Sequence, residues 1–285
     1  MNNSADVFLQ IRRKYDKFSK GHKKIADFIL ENFDTSVFLT ASNLGKEAHV
    51  SESTVVRFSY ALGYDGYPSL QKDLQEMVKK QLTITQRSKL NLYNNGENKI
   101  LESVMKKDME NIKQSLSQID INDFDSIIEQ ILSCKGMIYI VGLRTSTSLS
   151  EYFAYYLGLM IENVKLIKYT YTDVFEQIVD INSDDMLIGI SFPRYTTKTY
   201  DLMNYAKSKN ANLIAITDAK SSPICEFADY SLIAVNSMSS IVDSLVAPLS
   251  LINAIIVSIS NKKKEEVKSR FDAIEDIWRS QGVFK

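Results

Sequence analysis

The chain has 285 residues, of which 45% are hydrophobic and 24% charged, with ten glycines and four prolines. This composition is typical of a folded globular protein and excludes collagen-like, low-complexity and wholly disordered classes. The length favours two compact domains over one. The two cysteines, Cys134 and Cys225, are too few and too far apart for a disulfide framework or a structural zinc site. We therefore expect no metal and a reducing compartment, by default the cytoplasm.

The sequence contains no convincing targeting or membrane segment. The first eighteen residues lack the apolar core of a secretion signal. The most apolar stretch, residues 245–259, is interrupted by Pro248 and by polar residues, and it is too short to span a bilayer. We therefore expect no membrane partner.

Positive charge is concentrated at the amino-terminal end. Residues 1–90 contain fourteen Lys and Arg against ten Asp and Glu, whereas the remaining residues contain twenty against twenty-five. Between residues 12 and 24 only Asp16 opposes seven basic side chains, which are Arg12, Arg13, Lys14, Lys17, Lys20, Lys23 and Lys24. Such a run is typical of a phosphate-contacting patch, and equally of a solvated helix face.

Residues 1–82 are predicted to form an all-helical domain of short capped helices. Ser19, Thr40 and Ser51 each stand before a segment with apolar residues three or four positions apart, so each is predicted to cap a helix. The chain turns tightly at His49 between the second and third of these helices, and Gly63 ends the third.

Two short helices joined by a tight turn, over residues 40–62, form the pattern of a helix-turn-helix, whose second helix can lie in the major groove. Small or polar side chains at the start of that helix can approach base edges, where Arg can read guanine and Glu can accept from cytosine. The candidate DNA-binding residues are Ser51, Glu52, Ser53, Thr54 and Arg57, with Asn43 and Lys46 from the first helix. By pattern alone an ordinary helical bundle is slightly favoured.

A linker and a connecting helix are predicted over residues 83–122. Residues 83–98 are polar, lack a helical period and contain the turn signal NNG. A helix resumes at Lys99, and its apolar stripe contains Ile100, Val104, Ile112 and Leu116. This helix is a candidate dimer contact or transmitter, although ordinary packing explains its stripe equally well. Another helix is predicted at 123–132.

Beyond residue 136 the pattern changes to short apolar runs that alternate with amphipathic stretches. The five runs are residues 137–142, 164–169, 186–192, 212–218 and 230–235. Strands separated by helical crossovers pair in parallel, because parallel neighbours cannot be joined by a hairpin. We therefore predict a doubly wound α/β domain with a five-stranded parallel sheet over residues 123–262. A helix over 240–260 should be kinked by Pro248 or begin there, and residues 263–285 should form a helical tail.

Two hydroxyl-rich loops follow predicted strands, GLRTSTS at 142–148 and SFPRYTTKT at 191–199. In an open parallel sheet, ligands bind outside the carboxyl ends of the strands, where helix N-termini attract anions. The first loop is neither a P-loop nor a dinucleotide fingerprint, so we expect no cofactor. The arginine in each loop can bind the phosphate group of a sugar phosphate. The candidate ligand-binding residues are Gly142, Arg144, Thr145, Ser146, Ser191, Arg194 and Thr196. The alternative is that the hydroxyls only cap helices and the arginines lie on the surface.

The amino-terminal pattern resembles the DNA-binding domain of the RpiR family of bacterial transcriptional regulators. That domain contains V-S-x-x-T-V-V-R-F followed by L-G-[FY]-x-G-[FY], and the match covers most of residues 15–80. The matching residues here are Val50, Ser51, Thr54, Val55, Val56, Arg57, Phe58, Leu62, Gly63, Tyr64, Gly66 and Tyr67. The resemblance implies a winged-like or extended helix-turn-helix that binds an operator in double-stranded DNA as a dimer.

Residues 130–260 resemble the sugar isomerase (SIS) domain that follows the helix-turn-helix in RpiR-type regulators. Its loops usually read G-x-G-x-S and S-x-S-G-x-T, and residues 222–232 resemble its S-P-L-A-x-x-A-D stretch. The loop residues concerned are Gly142, Arg144 and Ser146 in the first loop, and Ser191, Pro193, Arg194 and Thr196 in the second. Arginine thus replaces a glycine in both loops. The resemblance implies a regulator, a homodimer or tetramer, that senses a sugar phosphate or a similar anion.

A sugar-phosphate isomerase is the rival interpretation. Aldose–ketose isomerisation needs a placed general base and usually a histidine or acid to open the ring. The only two histidines, His22 and His49, lie in the helical domain. The remaining candidate bases are Glu151, Glu162, Asp173 and Glu176. Because a lone carboxylate on a helix is usually solvated, we expect a regulator without enzymatic activity.

Overall fold

The computed structural model describes residues 7–81, 100–237 and 243–284. The chain forms two compact units, residues 1–94 and 95–285. The predicted linker at 83–98 lies outside the described residues. No helix in the described ranges is both long and apolar enough to cross a membrane.

The first unit is helical, as predicted. Its α-helices are α1 (Val7–Lys14), α2 (Lys20–Glu31), α3 (Phe33–Ser36), α4 (Ala41–Glu47), α5 (Glu52–Leu62) and α6 (Tyr67–Gln81). Their apolar faces share one core, in which Phe58 and Leu44 are fully buried. The helix period that was visible in the sequence therefore produces a packed domain around α5.

The three predicted N-caps of this unit are confirmed. Each hydroxyl accepts a hydrogen bond from the backbone N–H three residues later: Ser19 from His22 at 3.2 Å, Thr40 from Asn43 at 3.2 Å and Ser51 from Thr54 at 3.3 Å. Gly63 follows α5 in the left-handed conformation, with φ 101°. The ends of α5 are thus fixed by local interactions that the sequence specifies.

The second unit combines five strands with six α-helices among its described residues. The elements are α7 (Ile100–Gln118), α8 (Ile121–Ser133), β1 (Ile138–Val141), α9 (Thr147–Met160), β2 (Val164–Ile167), β3 (Met186–Ile190), α10 (Thr197–Ser208), β4 (Asn212–Thr217), β5 (Tyr230–Ile233), α11 (Val246–Lys262) and α12 (Lys264–Ser280). The strand order is β2-β1-β3-β4-β5, and every pair is parallel. The predicted five-stranded parallel sheet is confirmed.

Both faces of the sheet are covered, because side chains alternate along each strand. Ile138 and Ile140 of β1 belong to a core with α8, α9 and α11. Tyr139 and Val141 belong to a second core with α10 on the opposite face. The sheet is therefore doubly wound, with α9 and α10 on different faces.

Two of the four strand crossovers lack the α-helix that the alternating pattern predicts. Between β2 and β3, and between β4 and β5, the described chain forms only single 3-10 turns, at Glu176–Ile178 and Pro223–Glu226. In the first crossover the Asp173 carboxylate accepts from the Phe175 N–H at 3.0 Å. Such side-chain-to-backbone bonds compete with helix formation.

The two helices that end the chain follow the prediction in outline. Helix α11 begins at Val246, two residues before the buried Pro248. Pro248 thus marks the start of the helix and does not kink its interior, because the first turn of a helix tolerates proline.

Helix α7 packs against α11, but its apolar stripe faces outward. Of the predicted stripe residues, Ile100 and Leu116 are 55% and 74% exposed, and Val104 and Ile112 are 38% and 36% exposed. The neighbouring Leu101, Met105 and Met109 are between 59% and 76% exposed. Ordinary packing within the described chain therefore does not explain the stripe.

Candidate functional site

Helices α4 and α5 pack closely across a tight turn. The Val50 N–H donates to the Gly45 carbonyl oxygen at 2.8 Å, and His49 adopts a left-handed conformation with φ 53°. A Cβ atom at Gly45 would lie 2.9 Å from the Val50 carbonyl oxygen, a backbone atom that cannot swing away. The close approach of the two helices therefore depends on glycine at this position.

The start of α5 carries a connected set of hydroxyl groups. The Ser51 hydroxyl lies 2.9 Å from that of Ser53 and 2.8 Å from that of Thr54. The Arg57 guanidinium donates to the Ser53 carbonyl oxygen at 3.3 Å and to the Ser53 hydroxyl at 3.4 Å. These contacts align Arg57 along the exposed face of α5, where it can contact a groove.

The structure brings the seven candidate DNA-binding residues to one helix pair. Ser51, Glu52, Ser53, Arg57, Asn43 and Lys46 are exposed, and Thr54 is half-buried. An ordinary helical bundle would also leave a polar face in solvent, so contact of these residues with DNA remains a prediction.

Lys14 of the basic run contacts the C-terminal end of α5. Lys14 donates to the carbonyl oxygens of Ala61 and Leu62 at 3.0 and 3.2 Å. A cation at these last carbonyl groups stabilises the C-terminal end of the helix. The Lys23 ammonium lies 5.1 Å from the centre of the Tyr15 ring. Sequence reasoning missed the role of Lys14, because its partners lie 47 and 48 residues away.

A histidine also packs beneath α5. The His22 ring lies 5.6 Å from the Phe58 ring, centre to centre. Burial, with a smaller contribution from the positive charge of Arg57, lowers the pKa of His22. The lowered pKa favours the uncharged form of this half-buried ring.

The predicted ligand loops lie side by side at the carboxyl edge of the sheet. Val141 pairs with Gly189, so the loops after β1 and β3 leave neighbouring strands at about the same level. The strand order reverses direction between these two strands, and such a switch point opens a crevice for ligands. A Cβ atom at Gly142 would lie 2.6 Å from the Ser146 carbonyl oxygen. Glycine therefore permits the compact turn of the first loop.

Both loop arginines adopt a backbone conformation that favours glycine. The φ angle is 58° at Arg144 and 65° at Arg194. Residues other than Gly, Asn and Asp rarely adopt this left-handed backbone conformation. The geometry explains physically why glycine is usual at these two positions in the domain that the sequence resembles. Here the turns are kept and a guanidinium is added to each.

The hydroxyl groups at the starts of α9 and α10 are not used as caps. Ser146 and Thr196 occupy the N-cap positions, yet neither side chain accepts a capping hydrogen bond. This argues against the alternative that the hydroxyls serve only as caps. Of the seven candidates, Gly142, Ser146 and Ser191 are buried, Thr196 is half-buried, and Arg144, Thr145 and Arg194 are exposed. Their role in ligand binding stays a prediction.

A polar network that sequence reasoning missed supports the second loop. The Tyr195 hydroxyl donates to the buried Asp218 carboxylate at 2.7 Å. The Thr217 hydroxyl donates to the Ser191 carbonyl oxygen at 2.6 Å and lies 2.8 Å from the Ser222 hydroxyl. Burial and the neighbouring Asp218 raise the pKa of Tyr195, so the phenol remains a donor. The sequence signals for this network are the Thr217–Asp218 pair at the end of β4 and the stretch that begins with Ser222.

No cluster of three or more His, Cys, Asp or Glu side chains in the described segments is arranged to hold a metal ion. The loops 142–148 and 191–199 carry hydroxyl, backbone N–H and guanidinium groups and the ammonium group of Lys198. These groups bind anions and hydroxylated ligands.

A helix-turn-helix unit joined to a parallel α/β unit defines the class of a DNA-binding regulator with an attached ligand-binding domain. Residues 5–81 match the model of the helix-turn-helix domain of the rpiR family, and residues 131–258 match the model of the SIS domain. The chain therefore combines a helix-turn-helix domain of the rpiR family with a SIS domain.

Comparisons with individual proteins agree with this assignment. An HTH-type transcriptional regulator of Haemophilus influenzae is 24% identical over 241 residues, which cover 83% of this chain and 82% of the relative. The sugar isomerase domain of an RpiR transcription factor from Sphaerobacter thermophilus aligns with a TM-score of 0.60 and 20% identity, over 62% of this chain and 99% of that one. Vibrio vulnificus NanR, solved in complex with ManNAc-6P, aligns with a TM-score of 0.60 and 18% identity, over 97% and 99% of the two chains.

Replacing Tyr195 with Phe should destabilise the second unit by about 1–3 kcal/mol, because Asp218 loses a hydrogen-bond donor in a buried network. Urea unfolding followed by circular dichroism measures this loss. Tyr155→Phe is the matched control, since Tyr155 is 55% exposed, and we expect it to be neutral. Equal stability of the Tyr195→Phe variant and the wild type would contradict a supporting role for this network.

Proposed function

We propose that this protein is a ligand-responsive transcriptional regulator of the bacterial cytoplasm. A helix-turn-helix domain at residues 1–82 would bind operator DNA, and a SIS domain at residues 123–262 would sense a phosphorylated sugar or a related anion. Residues 83–122 would connect the two, and residues 263–285 would form a helical tail. The observation that carries the proposal is the placement of two loops with arginine and hydroxyl side chains at the sheet switch point, in a chain that also exposes the polar face of α5.

The DNA-binding half of the proposal rests on the side chains at the start of α5. Ser51, Ser53 and Arg57 are exposed and form one hydrogen-bonded set. Arg suits guanine and the hydroxyls suit bases or phosphates. The Lys14 and Phe58 contacts hold α5 against its core, so the reading face is supported by a rigid element.

The sensing half rests on the chemistry of the switch point. Ser146 and Thr196 offer hydroxyls at helix N-termini, where backbone N–H groups attract phosphate. NanR, which shares the fold, was solved with a phosphorylated amino sugar. Binding of a similar anion would shift the equilibrium between two arrangements of the regulator, and a differential affinity of about 1–3 kcal/mol suffices for such coupling.

An isomerase activity is less well supported. Three of the candidate bases form ion pairs: Glu151 with Lys168, Glu162 with Arg270, and Asp173 with Lys198. The hydrogen bond from the Phe175 N–H lowers the pKa of Asp173, which makes it a weaker base. Glu176 is exposed on a 3-10 turn. Brisk turnover of a pentose or hexose phosphate would overturn the non-enzymatic assignment.

We further propose that the regulator is a homodimer or a tetramer, with α7 in the contact between copies. The buried face of α7 is polar, with Asn111 and Ser115 hydrogen-bonded to the segment after β5, while its exposed face is apolar. A contiguous apolar surface of this kind is typical of protein interfaces. A second copy would bury that face.

The Arg57→Ala variant should bind operator DNA about 1–3 kcal/mol more weakly, because a base contact is lost. The operator would be selected from random duplexes with the wild-type protein, and affinity measured by gel-shift titration. Arg57→Lys keeps the charge but not the planar fork. It should therefore lose operator affinity while it retains affinity for a scrambled duplex. Unchanged operator affinity of Arg57→Ala would remove this residue from the reading face.

The Ser146→Ala variant should bind the operator normally and lose its response to sugar phosphates, because a hydroxyl in the anion site is removed. A thermal-shift screen with ManNAc-6P and other hexose 6-phosphates, followed by gel shifts with each hit, measures both properties. Ser148→Ala is the control, since Ser148 is exposed and donates only to the Thr145 carbonyl oxygen. Equal ligand shifts for Ser146→Ala and the wild type would count against the site.

A charge on the α7 stripe should weaken self-association. We expect Leu116→Glu to lower the sedimentation mass towards that of a single chain, because it places a carboxylate in an apolar contact. Ile121→Glu is the control, because Ile121 is 72% exposed but lies on α8. An unchanged oligomer for Leu116→Glu, or a monomeric wild type, would contradict the role of α7.

A further inference from the structure

The two loop arginines have no partner within the described chain. Arg144 and Arg194 are both exposed, and neither guanidinium forms a hydrogen bond or an ion pair with a described residue. The loops 142–148 and 191–199 contain no acidic residue. The other cation there, Lys198, lies 3.5 Å from the Asp173 carboxylate. The two loops therefore carry two arginines that form no ion pair with a described residue.

The backbone at both arginines is held in an unfavourable conformation. Left-handed φ angles of 58° and 65° favour glycine, so each arginine costs free energy that a glycine would avoid. The other described residues with a left-handed φ angle are glycines, His49 and Asn210. Asn and His tolerate this conformation better than Arg. A strained arginine whose exposed side chain has no partner among the described residues points to a contact with a ligand or another molecule.

The two arginine-bearing loops lead to helices on opposite faces of the sheet. The loop with Arg144 leads into α9, whose Phe153 packs in the core on one face of the sheet. The loop with Arg194 leads into α10, whose Leu202 packs in the core on the other face. The loops therefore diverge from neighbouring strands, and each brings one arginine and one helix N-terminus. One cation on each of two diverging loops suits a ligand with two acidic groups.

We propose that the effector carries two acidic groups, as a phosphorylated sugar acid or a sugar bisphosphate does, with one group on the Arg144 loop and the other on the Arg194 loop. This inference rests on the proposed function of the same site. It specifies the ligand class more narrowly, because a sugar monophosphate supplies an anion for only one of the two loops.

The test uses the full-length protein and three matched sets of five- and six-carbon compounds: aldose phosphates, aldonic acid phosphates and bisphosphates. Isothermal titration should give a dissociation constant about tenfold or more lower for the best two-acid compound than for its matching monophosphate, as expected for one additional charged hydrogen-bonded contact. Arg144→Gly and Arg194→Gly should each remove this preference.

The same glycine variants should be more stable than the wild type, with a melting temperature about 2–4 °C higher, because the backbone strain is relieved. Asn210→Gly is the control. Asn210 also has a left-handed φ, 60°, but it precedes β4 at the opposite edge of the sheet. It should not change ligand affinity. If the glycine variants bind the two-acid compounds more weakly and are also more stable, the arginines contact the ligand and do not stabilise the fold.

Two outcomes would overturn the inference. If the tightest ligand is a monophosphate, the two-acid class is wrong while sugar-phosphate sensing stands. If the glycine variants bind every compound as the wild type does but change the sedimentation mass, the arginines serve a contact between copies. Failure of all three sets to bind the wild-type protein would instead contradict the proposed function itself.

Discussion

The pairing of β1 with β3 is the constraint on which the carboxy-terminal site depends. The two strands are hydrogen-bonded neighbours, but the chain leaves them for helices on opposite faces of the sheet. The loops after them must therefore start together and separate, and in open α/β sheets ligands bind in the crevice at such a switch point. The hydroxyls of Ser146 and Thr196 lie at the two helix N-termini beside that crevice.

The loops combine local strain with long-range support. Arg144 and Arg194 oppose the intrinsic preference of the backbone, at a cost of roughly 1 kcal/mol or more each. The first loop is held by the Ser150 hydroxyl, which donates to the Gly142 carbonyl oxygen at 3.1 Å. The second is held by the bond from Tyr195 to Asp218. Strain at a site is tolerated where the surrounding structure fixes the loop, and this arrangement meets that condition.

In the amino-terminal unit, by contrast, local interactions set most of the geometry. The caps at Ser19, Thr40 and Ser51 each join residues three positions apart. Gly45 permits the close turn between α4 and α5. The long-range contributions are the shared apolar core and the contact of Lys14 with the end of α5. The orientation of α5 thus depends on a rigid local motif that is anchored at both ends.

The sequence by itself determined the helix caps, the five strands, the parallel pairing and the positions of both loops, because these follow from periodicity and from contacts between near neighbours. The resemblance of residues 50–67 to a regulator motif also indicated the family. Only the tertiary structure decided which faces are buried. The apolar stripe of α7 is exposed while Asn111 and Ser115 are buried, which no helical period predicts. The tertiary structure also decided the hydrogen bonds of Tyr195 with Asp218 and of Lys14 with Leu62. These partners are 23 and 48 residues apart in the chain and meet only when it packs.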